Sequence, residues 1–129
     1  MARVFAVLGA LLLAASVFLG AYGTHGLYQG GAAAAEVRAW DWANQMHLAH
    51  SLGLLLVAML ARRQPHSLFY KLAGCLLIAG LALFSGTIYL KALGGPDLAA
   101  LTPYGGMALA LAWLSAAVAT WRDMRVKPR

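Results

Sequence analysis

The residues of this chain that could do chemistry gather around one stretch, 42–61, which reads WANQMHLAHSLGLLLVAMLA. His47 and His50 are three residues apart, the spacing that puts two side chains on one helix face. Asn44 precedes His47 by one turn on the same face. His25 follows an earlier apolar run in Tyr22-Gly23-Thr24-His25-Gly26. Ser85 and Thr87 add two hydroxyls from a third run. The candidate polar site is therefore His25, Asn44, His47, His50, Ser85 and Thr87. Three imidazoles are enough to ligate zinc, copper or a haem iron, which makes His25, His47 and His50 the metal candidates. The plainer reading is preferred, a network of hydrogen bonds between helices. The chain has no HExxH motif and no cysteine or methionine ligand set. Proton or ligand handling is the third possibility. The cheapest partners for the Ser85 and Thr87 hydroxyls are carbonyls of their own helix. No nucleophile–base pair, phosphate loop or carboxylate pair is visible, so an enzyme is not expected. His66 falls in a basic loop and is read as solvated.

The elements that must position these groups are apolar. Hydrophobic residues make up 62% of 129, and charged residues 11%. Soluble domains carry about 25% charged residues. Mean hydropathy is +0.72. Four apolar stretches, about 4–22, 43–61, 72–90 and 104–121, each approach the roughly 20 residues a helix needs to cross hydrocarbon. Nothing alternates strictly, which argues against a barrel. The expected fold is all-α and integral to the membrane, a single domain forming a four-transmembrane-helix bundle. The first stretch also resembles a signal peptide, but its apolar run exceeds the usual 7–15 or so residues of a signal core. It is read as a retained span.

Charge sets the orientation. Arg3, Arg62, Arg63, Lys71, Arg122, Arg125, Lys127 and Arg129 fall on one side, and only Arg38 and Lys91 on the other. The positive-inside rule then places both termini in the cytoplasm. The net charge of +6 does not indicate nucleic acid, because the basic residues flank apolar runs and form no patch interleaved with aromatics. The bilayer is the expected partner, in a bacterial plasma (inner) membrane. The tail at 126–129 is expected to fray and to meet anionic lipid. Tyr22, Trp40, Trp42, Tyr89 and Tyr104 are read as the outer aromatic belt, and Phe69, Tyr70 and Trp121 as the inner one. Trp113, in mid-helix, is expected to pack. Cys75 has no disulfide partner and is read as a small membrane residue.

Gly30-Gly31 should end any helix from the first span, with the second helix beginning near Ala33. A short loop with Pro65 makes the second and third helices antiparallel neighbours. Pro103 suits the first turn of the fourth helix. Small residues at helical spacing predict close packing: Ala6, Ala10 and Ala14; Ala49 and Gly53; Ala108, Ala112 and Ala116. Gly74, Gly80 and Gly86 are six apart and cover more than one face.

In these same pieces the chain resembles the YgdD and transmembrane-protein-256 family, small multi-spanning membrane proteins of unknown function. The matching pieces are YGTHG at 22–26, ANQMHLAHSL at 43–52, LFSGTIY at 83–89 and LTPYGG at 101–106, with the later Trp113-Leu114. They occur in order across most of the chain. Thr24 and Gly53 depart from the pattern, where alanine or another small residue is usual. The resemblance implies a helical integral membrane fold and supplies no activity to carry over. Small size, few charges and small-residue faces lead to the expectation of a non-enzymatic accessory subunit or self-associating bundle, with an outer-leaflet His/Asn cluster. The alternatives are a metal- or haem-binding module, and a small transporter or proton-handling protein. The last lacks polar residues in the inner halves of its helices.

Overall fold

A computed structural model of the chain describes residues 1–125, apart from the side chain of Arg125. The expected frayed tail lies outside the described residues. Helix α1 is Ala2–Tyr22 and α2 is Ala34–Arg63. The third span is built from α3, Leu68–Leu81, and α4, Thr87–Ala92. Helix α5 is Thr102–Arg125.

Four helical stretches are long and apolar enough to cross a membrane: Ala2–Tyr28, Ala34–Arg63, Leu68–Ala92 and Ala99–Met124. They run 25 to 30 residues, longer than the apolar tracts within them. Hydropathy marks only the hydrocarbon, whereas backbone hydrogen bonding carries each helix on into the headgroup region. Thirty residues at 1.5 Å each give about 45 Å, the thickness of a bilayer with its headgroups.

α2 is the central element. Trp40, Ala43, His47, His50, Leu54, Val57 and Ala61 are all buried. Their spacing alternates three and four residues, the seam of a helix that packs against partners along its whole length. The main core joins Phe5, Leu54, Val57, Leu77 and Leu109 from all four spans. Gly74 accommodates the Phe5 ring and Gly80 accommodates Leu109, so the helix-three glycines do serve two different faces. Gly53 lies under Trp113: a Cβ there would be 2.7 Å from the indole. Trp113 thus packs one edge on α2, while 39% of the residue stays exposed.

The small-residue faces are only partly as expected. Ala112 and Ala116 are buried, but Ala10, Ala14 and Ala49 are exposed. On α1 the buried positions are Phe5, Gly9 and Ser16. A large ring and a hydroxyl decide its packed face, and the alanine spacing does not. The belt assignment also needs correction. Trp40, Tyr70 and Tyr89 are core residues, whereas Trp42, Tyr104 and Trp121 remain exposed at the ends. Tyr70 is held by Thr120, its hydroxyl 3.2 Å from Oγ1.

Two helical turns are wider than α. Residues Gly23–Tyr28 continue α1 as a π-turn, and Ala82–Gly86 form another between α3 and α4. A π-turn carries an extra residue and spoils the regular i to i−4 bonding, leaving carbonyls open to other donors. Gly31 and Gly94, at φ of +80° and +81°, end the first and third spans in the left-handed region. Ser67 caps α3, accepting from the Tyr70 N–H, and Pro103 lies in the first turn of α5.

Candidate functional site

The N-terminal half of α2 meets both π-turns. Trp40 is fully buried. Its indole lies 4.5 Å from the Tyr89 ring and 5.1 Å from the Tyr22 ring, centre to centre. Its Nε1–H donates to the Leu19 carbonyl at 2.7 Å. That carbonyl lies in the last turn of α1 and also accepts from the Gly23 N–H, which is shared with the Gly20 carbonyl. Gly23 makes room for the ring, since a Cβ there would be 2.7 Å from Cδ1 of Trp40. A buried indole needs an acceptor, and the end of the first span supplies it.

One turn further in, the Tyr89 hydroxyl donates to Oδ1 of Asn44 at 3.4 Å and also lies 3.4 Å from Nδ1 of His47. One hydroxyl proton serves one acceptor. If it goes to Asn44, Nδ1 of His47 carries a hydrogen and donates to the tyrosine oxygen. Nε2 of His47 is then a bare acceptor, and it is buried with no partner. Asn44 presses on the first span, because a Cβ on Gly20 would be 2.9 Å from its Nδ2.

The hydroxyls divide. Ser85, on the third-span π-turn, donates across the interface to the Ala43 carbonyl at 2.8 Å. Thr87 donates back to its own helix, shared between the Leu83 and Phe84 carbonyls, and the Thr102 hydroxyl lies 2.9 Å from it. Own-helix bonding therefore describes Thr87 and fails for Ser85, whose π-turn aims it at α2. Gly105 closes the fourth side. A Cβ there would fall against the Phe84 backbone nitrogen and 2.7 Å from the Leu83 carbonyl carbon. A cleft of about 490 Å³ opens beside Thr87 and Thr102, with Glu36 and Lys91 in its lining. No histidine lines it.

The histidines do not form one cluster. His50 donates Nδ1–H to the Met46 carbonyl at 2.7 Å, and its ring faces Trp113 at 6.1 Å. His47 faces Tyr89 at 5.9 Å. His25 is exposed, while Gly23 and Leu27, two residues to either side, are buried. Two residues along a helix turn a side chain roughly to the opposite face. Among the described residues no group of three His, Cys, Asp or Glu is placed to hold a metal ion. The alternative ligand set of His25, His47 and His50 is not among such groups. The residues that sequence reasoning missed are Trp40 and Tyr89. For Trp40 the sequence carries a signal: it begins the three-four spacing that runs through His47 to Ala61.

The chain can now be set beside known proteins. Residues 19–106 match the family described as "Protein of unknown function (DUF423)". That stretch runs from Leu19, whose carbonyl accepts from Trp40, to the glycines of α5. A UPF0382 membrane protein, YwdK of Bacillus subtilis, is 38% identical over 118 residues, covering 91% of this chain and 95% of the relative. A UPF0382 membrane protein of Staphylococcus epidermidis, SERP0230, is 36% identical over 92% of this chain and 95% of its own length. A fission-yeast relative, C1782.12c of Schizosaccharomyces pombe, is 36% identical over 76% of this chain and 85% of its own. No solved structure matches.

Proposed function

The chain belongs to this family of small multi-pass membrane proteins, and from that premise we propose that it is a non-enzymatic subunit that acts by association within the membrane. It lies in a bacterial plasma membrane with both termini in the cytoplasm. The bacterial relatives support the setting, and the eight-to-two distribution of Lys and Arg supports the orientation.

One observation supports the non-enzymatic reading: three polar side chains near one end of the bundle, Trp40, Ser85 and Tyr89, are turned onto other helices. Trp40 bonds to the first span, Ser85 to the second, and Tyr89 to Asn44 and beside His47. These groups fasten the bundle. The first span leaves Val4, Val7, Leu11, Val17 and Phe18 exposed, an apolar face open to lipid or to a protein neighbour. Blue-native migration and cross-linking in mild detergent test association. The reading expects a species larger than the monomer, formed with itself or with a second protein. A strictly monomeric particle contradicts it.

A second reading, proton or ligand handling, draws on one atom, the buried and unpartnered Nε2 of His47. It expects proton or solute flux in proteoliposomes that His47→Gln abolishes. Equal flux in both would remove it.

A further inference from the structure

At the basic end of the bundle, a cleft of about 830 Å³ opens between the start of α1, the end of α2 and the first turn of α3. Ligand pockets span about 300–1,000 Å³. Arg3, Arg62 and Lys71 all line it, and no Asp or Glu does. Its remaining lining is apolar, including Ala6, Leu55, Ala58 and Met59. The three cations come from three different spans. Among the described residues the ion pair is Lys91 with Asp97, at the other end. Nearby groups are otherwise engaged: Asp123 accepts from Gln64, and Arg122 lies 4.5 Å over the Phe69 ring.

Three like charges that share a cleft repel one another unless an anion joins them. The cleft lies where a helix end meets the headgroup layer, with apolar walls continuing toward the hydrocarbon. An amphiphile with an anionic phosphate head and an acyl body matches both parts, and basic pockets between spans are known to hold such heads. The geometry points to a site for one anionic phospholipid, its phosphate between Arg3, Arg62 and Lys71 and its glycerol and chain against Leu55, Ala58 and Met59. A zwitterionic lipid offers the same phosphate but adds a cation to a site already three times positive. That the lipid is of the cytoplasmic leaflet rests on the orientation proposed above; the binding itself does not.

Native mass spectrometry of the full chain tests this with phosphatidylglycerol, phosphatidylcholine and inorganic phosphate as probes. Phosphatidylglycerol should be retained preferentially. Arg62→Ala and Lys71→Ala should each weaken it about fivefold, from about 1 kcal/mol per basic residue near a surface. Arg63→Ala, one residue along but outside the lining, should leave it unchanged. Arg62→Lys should restore most of the retention, which separates loss of charge from loss of fold. Equal retention of the two lipids, an equal loss from Arg63→Ala, or displacement by equimolar inorganic phosphate would each overturn the site. Thiol labelling of the loops reports orientation separately: a reversed topology moves the site to the other leaflet and leaves the retention pattern intact.

Discussion

At the scale of single residues, hydrogen bonds that cross between helices should matter more than those within one. Ser85 bonds to the Ala43 carbonyl of another span, whereas the buried Ser51 bonds to the His47 carbonyl one turn back on its own helix. Polar contacts in membrane bundles contribute about 0.6 kcal/mol on average and up to about 1.7. Ser85→Ala should therefore cost roughly 1 kcal/mol in reversible unfolding in micelles, and Ser51→Ala clearly less. Similar losses would mean that the Ser85 bond does not fasten the spans. Asp97 provides a pH probe at the loop. The Lys91 side chain bonding to it, with the Ala99 N–H as a second donor, holds its carboxyl below the ordinary 3.8. A carboxyl depressed on folding contributes order that is complete above the unfolded value and is lost as pH falls through the lower, folded one. Hydrogen exchange at the Ala99 amide should accordingly be steady, after correction for intrinsic rates, from neutral pH down to the carboxylate range, and should lose protection below it. In Asp97→Asn that acid transition should be absent.

At the scale of elements, the two π-turns and the Gly105 contact set how closely the helix ends around Trp40 approach. The Gly105 neighbour is backbone of the third-span π-turn, which cannot move aside as a side-chain tip can. Gly105→Ala should cost at least the 1–3 kcal/mol or so of an overpacked core. Gly106→Ala, whose added Cβ would stand 3.7 Å from the Phe84 ring, should be tolerated. The thermal midpoints of the two variants make the comparison. These elements also show what the sequence made legible. Four spans, the Gly31 break, the Pro103 helix start and the region of the polar cluster follow from hydropathy, turn chemistry and position. The π-turns do not, because one extra residue leaves no mark on composition. Yet they decide that Ser85 faces α2 and that His25 points outward. Sequence position gives depth in the membrane and so puts Trp40 and Tyr89 in a belt, whereas burial depends on which face is packed. For Trp40 the three-four seam of α2 carries that second signal.

At the scale of the whole molecule, the bundle is polar-jointed at one end and basic at the other. If the charge count sets its orientation, cysteine at Gln29 reacts with an impermeant maleimide in intact cells, and cysteine at His66 reacts only after permeabilisation. The reverse pattern contradicts cytoplasmic termini. The central claim is that the polar and aromatic residues at the Trp40 end of the bundle are a joint between helices. Reversible unfolding of Trp40→Phe, Tyr89→Phe, Ser85→Ala and His25→Ala in one micelle system tests it most directly. Trp40→Phe removes the donor that pairs with Leu19, and should lose at least the roughly 1 kcal/mol of a hydrogen bond. Tyr89→Phe and Ser85→Ala should lose similar or smaller amounts, and exposed His25→Ala should match the unsubstituted chain. If the first three unfold like the parent, or if His25→Ala costs as much as they do, the joint is not what holds these spans together.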